Sequence, residues 1–585
     1  MPDRAPPVAS PATRFKTTTL LWLLAAFGLA TMNAPVDIAA TLFHLRVPDP
    51  DDAMRLVEAR DLANGQGWFD LVQHRFGPPP GIPSHWSRLV DAPLAGLILI
   101  LTPLAGRGLA EGIAAALWPI LLFGLYALVL MRGAKAAYGP RAALLALIVA
   151  TQTVGVGVQF AAGRVDHHGL QLIIILGLAL AIIRGAGWLA GLLAAASLAV
   201  GLEGLPYVAA AALFLCADWT WRGRPASRVL TGFGLGLGLA APILFGAQTD
   251  PARLSIPACD AISPPWLLLA EGGLILTLGC AALDGRLARP AARLAVLAVL
   301  GAGIVAGFAV LFPVCLGGPF TGMTSLVRDH WLLRVNEMTS LPTFVARRQW
   351  EALAFYPVLI LATLVATRLA PQGRAWAVAA TLLWPGLLMG ISEFRGIYVA
   401  SGLVPLVAGG FIDRVLATGP GTRRLSAAAV AAGLVSTIWI PIASLGEVLS
   451  PWPRTAPDLQ GAMTCLSDEA LSGLAALPPG RVLAPTFMGP AILLHTSQSI
   501  VSAPYHRAVP QIAASIQGLG GTEADLRRAM TEQGATRLVA CPARLSTDLQ
   551  PEPAFVSRLV QGTASADWLT PEPAQGVIRI WRAAP

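Results

Sequence analysis

Apolar residues along the chain run in blocks of about 18–25, parted by short joints rich in Arg or in Pro and Gly, the length a helix needs to cross a hydrocarbon core of about 30 Å. The blocks predict spans at 19–40, 111–131, 142–162, 169–184, 187–203, 205–218, 227–246, 264–283, 293–316, 350–369, 374–392, 396–416 and 424–446, about thirteen in all. The first has no small-residue cleavage site and exceeds a signal-peptide core, so it reads as a retained helix. A further block, 92–105, has Pro93 and Pro103 near its ends and is short, which suits a re-entrant or interfacial helix. With the N-terminus inside, the Arg-bearing joints 132–141, 184, 222–228, 286–293, 368–374 and 423–424 alternate onto one side, as the positive-inside rule requires. Counting 92–105 as a full span would put 132–141 outside.

This layout divides the chain into a cytoplasmic tail (1–18), a transmembrane domain (19–446) with a long first outer loop (41–110), and an outward, periplasmic domain (447–585). In the last part the pattern changes. Short β-like runs at 481–484, 499–503, 536–540 and 576–581 alternate with helical stretches at 511–517 and 523–533, which predicts a small α/β domain. The chain therefore reads as an α-helical polytopic membrane protein of the plasma (bacterial inner) membrane with a C-terminal α/β domain.

Composition agrees: 55% of the 585 residues are apolar and 13% charged, about half the charged share of a soluble domain. The net charge of +8 (41 basic, 33 acidic) is accounted for by the inner joints and needs no nucleic-acid partner. All eight histidines fall on the outer side in this topology. Cys465 and Cys541 both lie in the terminal domain and are placed to bridge in an oxidising compartment. No cysteine pair has metal-ligand spacing, which argues against a zinc site. The run from Gly232 to Gly238 lies within an apolar span and reads as close helix packing, not as a nucleotide loop.

Candidate chemistry sits in the outer loops. Between His44 and Asp91 the first loop holds seven acids against five arginines, and Asp49, Asp51 and Asp52 fall within four positions. Such a cluster suits Mg²⁺ or Mn²⁺, and would equally cap a helix beginning near Ala53. The second loop reads Gly163-Arg164-Val165-Asp166-His167-His168, and Asp166 and His168 point the same way in an extended segment. An N-cap role for Asp166 would leave both histidines unexplained. The fifth loop carries Val335-Asn336-Glu337, and Glu393-Phe394-Arg395 with Tyr398 stands near the outer end of a span. Arg395 either snorkels to the interface or aims at a phosphate.

These residues resemble the GT-C glycosyltransferases, specifically the catalytic subunit of oligosaccharyltransferase and its single-subunit bacterial and archaeal relatives, along most of the chain. The resemblance implies thirteen spans, a long first loop and an outward terminal domain. Asp51-Asp52-Ala53-Met54-Arg55 matches the first acidic motif, implying Asp52 as a ligand. Gly163 to His168 matches the second, implying Asp166 and His168, with Asp49, Asp51 and His167 as additional donors. Val335-Asn336-Glu337 resembles the fifth-loop motif, implying Glu337 near metal and acceptor, and Arg395 with Tyr398 resembles the phosphate-binding pair. Where the family carries a Trp-Trp-Asp-Tyr-Gly sequon motif, Pro485-Thr486-Phe487-Met488-Gly489 keeps only the Gly, so an Asn-x-Ser/Thr acceptor is not implied.

The implied activity is transfer of a sugar or oligosaccharide from a polyprenyl-phosphate or diphosphate donor to a glycan, lipid or protein acceptor at the bilayer's outer face. Mn²⁺ or Mg²⁺ would neutralise the leaving group, Asp52 and Glu337 would act in catalysis, and the anomeric centre would invert. A transporter or flippase of a lipid-linked glycan is the alternative; it would place ionisable groups near the bilayer midplane, where Glu203 and Glu271 are the candidates. A scaffolding subunit would need neither the Asp166–His168 cluster nor Arg395.

Overall fold

The computed structural model describes residues 19–584, apart from 21, 26, 30–31, 33–36, 419–420, 450–462, 546–548, 550 and 574–575. The tail 1–18 and part of the first expected span fall outside the described residues. Most of the other expected spans coincide with an apolar helix, but 142–162 is divided into Pro140–Gln152 and Val154–Gln159, and 424–446 into two helices. Nine described helices are long and apolar enough to cross a membrane, or up to ten with the bent pair Arg424–Gly433 and Ser436–Leu449, which meet at 73°. Pro140–Gln152, His168–Ile183 and Gly187–Val200 are shorter, the last about 21 Å long at 1.5 Å per residue. The chain is a multi-pass membrane protein.

One of the nine is the helix Arg88–Ala105, which absorbs the 92–105 block expected to be a short re-entrant or interfacial piece. The apolar block gave only its middle. Ser87 caps the N-terminus by accepting from the Leu89 N–H, and a first turn carrying Arg88 and Asp91 brings it to 18 residues.

Close helix approach in the bundle rests on small residues. A Cβ on Gly191 would stand 2.1 Å from the Phe233 carbonyl oxygen, and one on Gly236 would stand 2.3 Å from that of Trp188. Helix Gly187–Val200 therefore lies backbone to backbone on Arg224–Gln248, as expected of the 232–238 run.

The strands are β1 (Val72–Gln73), β2 (Ile82–Pro83), β3 (Arg481–Leu483), β4 (Ser499–Ile500), β5 (Arg537–Ala540), β6 (Leu569–Glu572) and β7 (Arg579–Ala583). The terminal sheet has the order β4-β3-β5-β7-β6: β3 is parallel to β4 and β5, and β7 is antiparallel to β5 and β6. β6 had no sequence signal, because Pro571 and Glu572 break its apolar alternation. Alternation elsewhere splits the core in two. Leu483 and Leu538 face the helices Val509–Gly520 and Glu523–Glu532, while Val482, Val539 and Ile580 face Asp468–Ala475 and Gly489–His495.

The second of these cores does not stop at the domain. It runs on into Met54, Leu56 and Val57 of helix Pro50–Ala63 and Leu94 and Ile98 of Arg88–Ala105. The long first loop also covers the sheet's open edge: the Gly77 N–H donates to the Ile500 carbonyl and the Ile500 N–H to that of Arg75, both at 2.8 Å. Two disulfides are present, Cys465–Cys541 and Cys259–Cys315. The second joins the loop after Arg224–Gln248 to the turn Pro313–Gly317 that follows Pro290–Leu311.

Candidate functional site

Helix Pro50–Ala63 begins with Asp49, whose Oδ1 accepts from the Asp51 N–H at 2.9 Å, and Pro50 fills the first helical position. Capping leaves the other Asp49 oxygen free to act, and Oδ2 lies 3.4 Å from Arg164 Nη1. One turn into the helix, Asp52 is fully buried. Its Oδ1 accepts from the N–H groups of Val165 and Asp166 at 2.7 and 3.0 Å, and its Oδ2 from Arg164 Nη1 at 3.1 Å.

The 163–168 loop is thus shaped by Asp52. Gly163 takes φ +86°, the left-handed region, and starts the turn. Asp166 Oδ1 accepts from the His168 N–H at 3.0 Å. Asp166 Oδ2 is buried without a hydrogen bond, 3.1 Å from Arg164 Nη2 and 3.6 Å from His168 Nε2. The other ring nitrogen of His168 is 2.9 Å from Glu203 Oε2, and His168 Nε2 is 3.7 Å from Glu337 Oε1. Burial opposes the Asp166 charge, yet Arg164 and His168 outweigh it and hold the carboxyl below its ordinary value.

Glu337 lies in the single turn Asn336–Met338, clipped onto the start of helix Gly396–Ser401. The Arg395 N–H donates to the Glu337 carbonyl at 2.9 Å, and Phe394 N–H to that of Thr339 at 3.0 Å. Arg395 Nη2 also donates to Glu337 Oε2 at 3.2 Å, while its buried Nε has no partner. Burial again opposes ionisation; the His168 imidazole and the Arg395 guanidinium override it and hold Glu337 well below the usual carboxylate range. The Tyr398 ring stands 5.5 Å from that of His168.

These groups open on a cavity of about 1150 Å³ between the helical bundle and the terminal domain. Asp49, Asp51, His167, His168, Glu337, Arg395 and Tyr398 line it; Asp52 and Asp166 do not. Burial, reinforced by Asp49 and Glu337, pushes Asp51 well above the usual carboxylate range.

The structure sorts the acids of the first loop by where they point. Asp52, expected as both ligand and catalytic group, is turned into the protein and fully engaged; Asp49 and Asp51 are the acids of that motif that reach the cavity. Asp52, Asp166 and His168 do not close around one point. Arg164, which was not among the expected site residues, puts its guanidinium within 3.4 Å of carboxylate oxygens of Asp49, Asp52 and Asp166. Among the described residues near this loop, the donors that lie within 4.8 Å of one another are those of His167, His168 and Glu203. Glu203, weighed in the sequence only as a transporter residue, belongs to this site. Its signal was its place at the end of the 187–203 block, the end that the topology puts on the same side as Asp166 and His168.

No family model matches the chain, and no curated protein matches it in sequence. Solved structures do. The archaeal oligosaccharyltransferase AglB from Archaeoglobus fulgidus, in complex with an inhibitory peptide and a dolichol-phosphate, superposes with a TM-score of 0.65 at 15% identity, over 91% of this chain and 70% of that one. The same archaeon's oligosaccharyltransferase in complex with zinc and sulfate gives a TM-score of 0.58 at 14% identity, over 89% and 68%. Helical bundle, long first loop and terminal sheet together therefore make this chain a GT-C fold, the fold of the archaeal oligosaccharyltransferase.

Proposed function

We propose that the protein is a membrane glycosyltransferase, moving a sugar or oligosaccharide from a polyprenyl-phosphate or diphosphate donor to an acceptor on the periplasmic face. The observation that carries this reading is the convergence of Asp49, His168, Glu337 and Arg395, from four separate segments, on one cavity. The similar archaeal enzyme has been seen with a dolichol-phosphate, with an acceptor peptide, and with zinc and sulfate, which are the kinds of ligand such a cavity would take.

A divalent metal fits the residues present. Asp166 Oδ2, which is ion-paired with Arg164 but makes no hydrogen bond, together with His168 and the cavity-facing Asp49 and Glu337, would supply hard oxygens and one imidazole. When bound, the metal would neutralise charge developing on the leaving phosphate. Arg395, with its unpartnered Nε, would bind a phosphate oxygen from the bundle side. Glu337, kept ionised, would orient the acceptor by accepting a hydrogen bond from it as the acceptor attacks the anomeric carbon and inverts it, the acceptor's proton passing to solvent.

Asp166→Ala and Glu337→Ala should each lower turnover of a polyprenyl-linked sugar by roughly 10²-fold or more while leaving folding and insertion intact. Full activity in both would remove the site assignment. If the purified protein carried such a lipid between leaflets without consuming its sugar, the flippase reading would replace this one.

A further inference from the structure

Across the same cavity lies a second cluster of donors that the proposed chemistry does not use. His85 comes from the long first loop, Asp260 from the loop tied down by Cys259–Cys315, and His506 from the terminal domain. One ligand atom from each lies within 4.8 Å of the others. No two of the three are near in sequence, so no spacing motif could reveal them.

The three side chains are held in place before any ligand arrives. Arg507 grips both Asp260 oxygens, Nε to Oδ2 at 2.7 Å and Nη2 to Oδ1 at 2.9 Å, and its Nη1 donates to the Ser84 carbonyl at 2.7 Å. The turn bearing Asp260 is braced at the Ala258 carbonyl, which accepts from Ser263 Oγ and Trp266 Nε1. The His506 ring sits edge-on to Phe320, 5.5 Å away, with Nε2 2.7 Å from Asp260 Oδ2. His85 packs at 4.7 Å from the His506 ring, and its own ring nitrogens make no hydrogen bond with any described residue. An imidazole lining a cavity with both nitrogens idle, aimed at an Asp–His pair, is a donor set short of its acceptor.

We propose that His85, Asp260 and His506 form a second metal site, of the Zn²⁺ class, which joins the first loop, the 249–263 loop and the terminal domain. Two imidazoles and a carboxylate are a borderline donor set, suited to Zn²⁺ rather than Mg²⁺, and three protein ligands leave a fourth position facing the cavity. Arg507 supplies the outer-sphere hydrogen bonds that orient a ligating carboxylate. The metal takes the place of the proton that His506 shares with Asp260, and that proton leaves to solvent.

The test uses the full-length protein in detergent, stripped with a chelator and titrated with Zn²⁺. Metal content after desalting should be one equivalent per chain lower in His85→Asn and His506→Asn than in wild type, while Asp166→Asn keeps that equivalent. Zn²⁺ should raise the melting temperature of wild type and Asp166→Asn, and not of His85→Asn. Co²⁺ in the unmutated protein should give the visible absorption of a tetrahedral site, and His85→Cys should add a thiolate charge-transfer band. Wild-type stoichiometry in both histidine variants, or no thiolate band in His85→Cys, overturns the proposal. Because Asp166→Asn separates the two sites, failure here leaves the glycosyltransferase reading standing, and the reverse also holds.

Discussion

Asp52 and Arg164 show how helix phase sorts a cluster of acids. Three acids in four positions pointed to the first loop, but helix phase decides which of them faces the cavity: Asp49 and Asp51 line it, and Asp52 turns inward onto the backbone of the next loop. Asp52→Asn should therefore cost about 1–3 kcal/mol of stability, because Asn cannot serve two N–H donors and a guanidinium equally. It should leave the number of divalent ions bound unchanged; loss of an ion would restore Asp52 as a ligand. Arg395→Ala, which removes a charge-assisted contact worth about 1.5–3 kcal/mol, should raise KM for the lipid-phosphate donor about 10- to 100-fold with kcat less affected. Equal losses in kcat and kcat/KM would place Arg395 in the transition state alone.

Among the elements, long apolar blocks were the most legible, since a bilayer sets their length, and His168–Ile183 sits almost where the 169–184 block put it. Marginal blocks were not: the 92–105 run could not show that its helix extends through Arg88 and Asp91, because charges in a first turn look like a loop. Those charges are buried with a purpose. Arg55 is fully buried, with Nη1 2.5 Å from Asp91 Oδ1, and Arg88 Nη1 is 3.2 Å from Asp91 Oδ2, which fastens helix Pro50–Ala63 to Arg88–Ala105. Arg55→Ala leaves buried Asp91 with Arg88 as its remaining cationic partner and should destabilise the protein by about 1–3 kcal/mol in a denaturation curve. Gly236→Val cannot be accommodated without parting two backbones and should abolish folded yield in detergent, whereas at Gly246, where a Cβ meets nothing within 4 Å, substitution by Ala should be tolerated.

Over the whole molecule, the cavity owes its walls to a terminal domain docked by mixed polar and apolar contacts, and no single-sequence pattern announces such a joint. His495 lies at that seam, and burial pulls its pKa down to about 4. In the unfolded chain it titrates near 6.5, so the stability it contributes is complete above that value and is lost as pH falls toward 4. The melting temperature should decline over this window, and His495→Gln should flatten that part of the decline; an unchanged slope would mean the ring is protonated when folded. Removal of Cys465–Cys541, which closes a loop of 76 residues, should cost about 2–5 kcal/mol.

The shared core also has a consequence in time. Tyr505 donates to the Pro50 carbonyl across 455 positions of sequence, and the core around Met54, Leu56 and Val57 is completed by terminal-domain residues such as Ile492 and Ile500, which are made last. At about 5–20 residues per second, a ribosome needs roughly 20–90 s to cross that interval. During this wait the first loop stands with that core half built, closed on the side of Leu94 and Ile98 and open where the terminal domain will dock.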